Sequence, residues 1–286
     1  MTDFVPSPLS EFESVGDRAA HLLQRYAAGD RDFPGANLSQ ADLWGAQLVL
    51  TSNASITETP STEAPSTGAP SSPARQETRL IGADLSGANL SEADLSEANL
   101  IAANLTGTNL SAANLHRAEL VEANFQQAQL RGADLSQAYL SRANCSQADV
   151  SEANLHATRA NQSIWTEAQL VDSRFEEADL FGGDLRAAHC QQANFDRADL
   201  SNADLRDTQA PRASFKGAKL WGTNLSRADL SGADLSNAVL IQADLRDAKL
   251  CHANLAGSDL WGADLRGADL EGAHRNGEPA DLPPVD

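Results

Sequence analysis

The chain has 286 residues and a formal net charge of −19, so its surface is acidic. Such a surface repels nucleic-acid phosphates and anionic lipid headgroups and attracts basic partners. No apolar run approaches the ~20 residues of a membrane-spanning helix, and Met1-Thr2-Asp3-Phe4 lacks the basic and apolar regions of a signal peptide. No direct nucleic-acid binding and no membrane insertion are expected. Cys145, Cys190 and Cys251 are odd in number and lack metal-ligand spacing, which fits a reducing, cytoplasmic setting.

Residues 1–13 carry Pro6 and Pro8 and read as irregular. Val15, Ala19, Leu22, Leu23 and Tyr26 then recur at spacings of three and four, which is one face of a helix. Ser14 serves as N-cap with Asp17 three residues on, and Gly29 as the C′ residue. This predicts a helix over 14–29. It reads as a cap, because the open end of a solenoid exposes a core layer and unpaired strand edges; a partner-binding helix is the alternative. Phe33, Leu38, Leu43 and Leu48 follow at intervals of five, the last three each preceded two residues earlier by alanine. These predict a first solenoid turn over 30–49.

Residues 50–78 are rich in Ser, Thr, Pro and Ala and cannot bury enough apolar surface to order themselves, so a disordered insertion is expected there. Ser61, Thr67 and Ser72 offer hydroxyls for modification, against the simpler reading of a neutral insertion. Asn53-Ala54-Ser55 matches a glycosylation acceptor but lacks a secretory signal beside it. Leu48 and Leu80 are 32 residues apart. That is not a multiple of five, so the phase resets.

From 79 to 272 the chain repeats one five-residue word. Its central residue, mostly Leu, falls on every number divisible by five from Leu80 to Leu270. Side chains alternate in an extended segment, so the centre and the small residue two before it share one side. Leu and Ala therefore point inward, and the Asp or Asn between them points outward. The other two residues make a corner. A helix is a poor alternative, because a period of five winds the Leu stripe around the cylinder. Spacing alone gives a β-solenoid without hand or number of sides.

Ala93-Asp94-Leu95-Ser96-Glu97 and Ala233-Asp234-Leu235-Ser236-Asn237 resemble the A(D/N)LXX word of pentapeptide-repeat proteins. The stretch Leu23-Gln24-Arg25-Tyr26-Ala27-Ala28-Gly29-Asp30-Arg31-Asp32-Phe33 is similar to the start of many cyanobacterial members. The resemblance spans residues 33–48 and 79–272. It implies an all-β fold, a right-handed quadrilateral β-helix with four words per turn, here preceded by the capping α-helix. Twenty residues per turn give nearly ten turns and a rod of roughly 50 Å. Ala160 and Ala210 sit at centres where Leu is usual, the second followed by Pro211, and are expected soft points; Trp165 beside Ala160 suggests one residue filling its neighbour's space. Residues 273–286, with Gly277, Pro279, Pro283 and Pro284, read as a disordered tail.

Sorting by twenty separates the faces. On the face centred at Leu80, Leu100 and so on to Leu260, the residue after the centre forms an apolar stripe: Ile81, Ile101, Val121, Phe181, Trp221, Ile241 and Trp261. This is the candidate protein-interaction stripe, against the plainer reading of corner side chains stacking on one another. On the next face Asp184, Asp204, Asp244 and Asp264 stack, with Arg186, Arg206, Arg246 and Arg266 two positions on, which reads as a self-neutralised solvated face. His116 and His156 lie two turns apart, poorly placed to share a metal. There is no phosphate loop, zinc spacing or nucleophile elbow, and a filled rod has no cleft. No catalytic residue, metal or cofactor is therefore expected. The function expected is a non-catalytic interaction scaffold, a rigid acidic rod that meets a protein partner or, as a homodimer, itself. The alternative comes from the resemblance: some members mimic duplex DNA and bind type II topoisomerases. The net charge supports that alternative. The arginines, Lys216 and Lys219, and a tail without a dimerising element speak against it.

Overall fold

The computed structural model describes residues 15–39, 80–275 and 278–279. The expectations for residues 1–14, for Leu43 and Leu48, for the insertion over 50–78 with Ser61, Thr67 and Ser72, and for most of the tail lie outside them. The described chain is one short helix followed by a four-sided β-helix. Parallel bridges join residues twenty apart at every pair from Asp84↔Asn104 to Asn254↔His274.

The fold follows from where one word sends its five N–H groups. In the word centred on Leu135, Leu135 donates to the carbonyl of Asn154 (2.8 Å), Gln137 to His156 (2.9 Å) and Tyr139 to Ala118 (2.9 Å). These three bonds tie the turn to the turns on either side. Ala138 donates back to the Leu135 carbonyl at 3.0 Å, closing a four-residue turn. The fifth donor, Ser136 N–H, has no ladder partner and goes to Asp134 Oδ1 at 2.9 Å. The outward Asp or Asn is thus an acceptor for the corner N–H two residues on, in an Asx turn.

The third residue of each corner turn has positive φ, as a type II turn demands. Gln137 sits there at φ 59, and glutamates, arginines and alanines occupy the same position elsewhere. Left-handed backbone costs a non-glycine residue about 1–2 kcal/mol. The inter-turn bond from that same N–H helps offset it.

Inside, Leu and Ala columns fill the tube; Leu135 is 1% and Ala133 0% exposed. Where an aromatic residue enters, neighbouring centres shrink. Trp165 is buried beside Ala160 and meets Phe175 edge-on across the core at 5.5 Å. Its indole N–H donates to Ser163 Oγ at 2.6 Å, which satisfies its one polar atom. Phe175, Phe195 and Phe215 stack along one column at 5.0 Å spacings, with Cys190 and Ala210 making room as buried centres on the adjoining face. Cys145 and Cys190 are core residues with free thiols, and burial pushes their pKa values up. Pro211, which follows the Ala210 centre, fits its corner turn. It stands second in its corner turn, where proline is favoured and no ladder donor is needed, and the turn bond from Ala213 N–H to the Ala210 carbonyl persists at 3.2 Å.

The helix α1, Val15–Ala27, buries Ala19, Leu22 and Tyr26 against the first turn. Tyr26 Oη donates to the Ile81 carbonyl at 3.0 Å. Gly29, at φ 101, ends the helix in a Schellman motif: Asp30 N–H reaches the Arg25 carbonyl (3.1 Å) and Gly29 N–H the Tyr26 carbonyl (2.9 Å). The next word stacks under the main array through Asp32↔Asp84 and Asn37↔Asn89. These partners are 52 residues apart instead of twenty. The excess equals the distance from Leu48 to Leu80, so Leu80 takes the place in the helix that counting by five from Phe33 gives to Leu48. At the other end, within the stretch expected to be an unstructured tail, β1 (His274–Arg275) pairs antiparallel with β2 (Glu278–Pro279).

Candidate interaction face

The first face carries two columns, both fixed by the winding. Its outward ladder runs through Asn99, Glu119, Tyr139, Arg159, Asp179, Asp199, Lys219, Val239 and Asp259, each bridged to the next. Beside it, on the corner, stand the seven stripe residues, separated in mid-rod by Ser141, Asn161 and Ser201. From Ile101 onward each corner carbonyl accepts an N–H from the turn before, as in Asn202 N–H to Trp221 at 2.8 Å and Gln242 N–H to Trp261 at 2.9 Å, and that of Ile81 accepts the Tyr26 hydroxyl. The corner backbone is therefore fixed and the side chains project from it.

Ile81, Phe181 and Trp221 are 43–44% exposed and Trp261 70%, while Ile101, Val121 and Ile241 are half-buried between their neighbours. Stacking along the corner is real but covers only some of them. The helix reaches the Ile81 carbonyl through Tyr26 without covering the Ile81 side chain. Gly82, Gly182, Gly222 and Gly262 follow the four most exposed stripe residues, so no side chain rises between these residues and solvent on that side. Sequence reasoning missed Tyr139 and Val239, which stand on the outward ladder of the same face. The signal was available: sorting the position before the centre by twenty, as was done for the position after it, brings both out. Of the six exposed large apolar residues among those described, five lie on this face; the exception is Ile164.

The ladder also departs from the rule that places Asp or Asn before the centre. Glu119, Tyr139, Arg159, Lys219 and Val239 give up the Asx bond. The third face departs as often, mostly with glutamine; the first face departs with charged, aromatic and apolar residues. Arg159 lies over the Tyr139 ring at 5.0 Å. Lys219 pairs with Asp199 at 3.1 Å, and Glu119 accepts from Asn99 at 2.9 Å. Glu119, Arg159, Asp179 and Asp259 make no ion pair among the described residues.

The second face is self-neutralised, as expected. Arg186, Arg206, Arg246 and Arg266 each fold onto the aspartate two residues earlier through paired hydrogen bonds of 2.5–2.9 Å. The Arg266 hydrogen bonds hold the Asp264 carboxyl down to about 2. His116 Nδ1 lies 2.8 Å from Ser136 Oγ, which superficially resembles a nucleophile beside its base. Ser136 is buried, its own N–H is taken by Asp134 and the following N–H by His156. No free donor pair is left there to hold an oxyanion. Among the described residues no group of three or more His, Cys, Asp or Glu is placed to hold a metal ion, and no helix is long and apolar enough to cross a membrane.

The sequence profile of pentapeptide repeats matches the chain over residues 78–117, 118–156, 151–186, 173–209, 211–247 and 243–274. Among solved structures, HetL, a pentapeptide repeat protein involved in heterocyst differentiation regulation from the cyanobacterium Nostoc sp. strain PCC 7120, is 31% identical over 90% of this chain and 97% of its own, with a TM-score of 0.41. A pentapeptide repeat protein from the Arabidopsis thaliana thylakoid lumen is 32% identical over 34% of this chain and 67% of its own, with a TM-score of 0.33. QnrB1, a plasmid-mediated fluoroquinolone resistance protein, is 17% identical over 70% of this chain and 92% of its own, with a TM-score of 0.30. None of the curated proteins compared with the chain matches it.

Proposed function

Because the chain belongs to the pentapeptide-repeat family, whose right-handed quadrilateral β-helix it adopts, we propose that it is a non-catalytic interaction scaffold presenting its first face to a protein. The observation that carries this reading is the gathering of Tyr139, Phe181, Trp221, Trp261 and Ile81 on one of four faces. Exposed apolar residues grouped in this way mark association surfaces, and the few residues that dominate binding energy are enriched in Trp and Tyr. The rod itself is filled, so its chemistry is that of a surface. The free thiols of Cys145, Cys190 and Cys251 support a reducing compartment such as the cytoplasm.

The test is capture from native lysate with the full chain against Trp221→Ser/Trp261→Ser. Proteins held by the parent and lost from the double variant, with both melting alike, are the expected result; an unchanged set of captured proteins refutes the reading. A second reading, mimicry of DNA toward a type II topoisomerase, draws on the net charge of −19. Basic residues on every face, from Lys219 on the first to Lys216 on the fourth, break up the acidic surface that such mimicry needs. Inhibition of gyrase supercoiling by the purified chain would favour mimicry over the scaffold.

A further inference from the structure

We infer that the partner of the first face is a second copy of this chain, packed face to face and antiparallel, with the two-fold axis between the turns of Arg159 and Asp179. The inference rests on the scaffold reading and names its partner. It follows from an internal symmetry of the two columns. Reverse the ladder about that axis and three of the four pairs of described residues are complementary: Arg159 faces Asp179 of the second copy, Glu119 faces Lys219, and the Tyr139 hydroxyl faces Asp199, while Asn99 faces Val239. The corner stripe reverses onto itself in the same register. Ile81 faces Trp261, Ile101 faces Ile241, Val121 faces Trp221 and Ser141 faces Ser201, so apolar meets apolar at both ends and polar meets polar inside them; nearest the axis Phe181 faces Asn161, the one mixed pair of the stripe.

A parallel two-fold pairing on the same ladder would set Asp179 against Asp179 and Glu119 against Glu119, and like charges across an interface are penalised. The antiparallel register also supplies partners for Arg159, Asp179 and Glu119, which have no ion-pair partner among the described residues of their own chain, while most described arginines on the other three faces pair within theirs, as Arg227 does with Asp207 at 2.7 Å. Size favours the full register over a contact at the Trp221–Trp261 end alone. Ten turns make the strip about 43 Å long and about 10 Å wide. Only that whole strip, counted on both copies with its side-chain relief, reaches toward the ~1,200 Å² at which specific interfaces begin. Facing sheets pack about 10 Å apart with strands nearly aligned, a distance these side chains span.

Sedimentation velocity of the full chain from about 1 to 100 μM tests the proposal. A reversible dimer is expected. Arg159→Asp and Asp179→Arg should each raise its dissociation constant at least about tenfold, since both symmetry-related contacts become repulsive, and the double variant should return it to near the parent value. For the register, Glu119→Cys and Lys219→Cys are prepared separately in a Cys251→Ser background and treated with a short bismaleimide. Cross-linked dimer should form when the two are mixed and not with either alone, because like positions lie about 24 Å apart in this register. A chain that is monomeric at 100 μM overturns the proposal, as does a dimer indifferent to both charge reversals. If the monomeric chain still loses captured proteins in the Trp221→Ser/Trp261→Ser variant, the scaffold reading stands and only self-pairing falls.

Discussion

Replacing Asp134 by alanine isolates the role of the outward carboxylate. Asp134 Oδ1 accepts from Ser136 N–H at 2.9 Å and from Asn154 Nδ2 at 3.0 Å, the second bond reaching the next turn. Hydrogen bonds to charged groups contribute about 1.5–3 kcal/mol when well sheltered and about 1 kcal/mol when ordinary. Asp134 is half-exposed, so the two bonds together are worth about 2 kcal/mol. From the sequence alone, a small effect is expected even for Asp134→Ser, since an outward residue of a repeat carries no visible load; the structure raises that figure. Asp134→Asn keeps an oxygen in the same place, as Asn does at many equivalent words, and should cost under about 1 kcal/mol. Stability of a repeat rod is a sum of neighbour terms and unfolds regionally, so the sharper assay is amide exchange. Ser136 N–H should lose protection in Asp134→Ala and keep it in Asp134→Asn, with denaturant unfolding recorded alongside. Equal exchange at Ser136 in the two variants would refute the Asx assignment.

Leu135→Asp buries a carboxylate in the tube without a partner and should abolish the β-helix signature in circular dichroism, a cost well beyond 4 kcal/mol; a cooperative melt near that of the parent would sink the inward assignment. Gly267→Ala at φ 73 and Gly107→Ala at φ 63 should each destabilise by about 1–2 kcal/mol through the left-handed backbone; the Cβ at 267 also displaces the exposed Asp247 carboxylate, 2.2 Å away, where 107 has nothing within 4 Å, so thermal melts should place Gly107→Ala slightly above Gly267→Ala. Asp264 has its folded pKa lowered to about 2 from 3.8. Its pairing with Arg266 therefore favours the folded state fully above about pH 4 and is lost as pH falls through 2. NMR titration of the carboxyl carbon should place the midpoint near 2 and return it toward 3.8 in Arg266→Ala.

The winding was legible because a period of five leaves few choices. Leu80 to Leu270 keeps one phase, and the alternation of Ala83, Asp84 and Leu85 fixes which side faces in. The Asx bond was not legible. That Asp84 points outward says nothing about Ser86 N–H until the turn geometry shows that donor to be without a ladder partner. Trp165 and Ala160 could be matched as large beside small, since volume is additive across a layer, but Pro211 could not be judged without its position in the corner turn. The phase of the first words was hidden as well. Counting by five gives Leu48 a place that hydrogen bonding assigns to Leu80. For the candidate face, the corner stripe was found by sorting one position, and Tyr139 and Val239 were missed because the neighbouring position was read only as a polar average.

The uninterrupted phase from Leu80 to Leu270 works as a reading frame for surfaces. Loss of one five-residue word would rotate everything downstream by a quarter turn and deliver the Trp261 column to a different side of the rod, although every local bond could be remade. Loss of twenty residues would shorten the rod and leave each side its own. Length changes are therefore silent to the core and decisive for the exterior, except at one point. Between Leu38 and Leu80 the count by five fails, and the frame is re-established by the pairing of Asp32 with Asp84 and of Asn37 with Asn89, 52 residues apart instead of twenty.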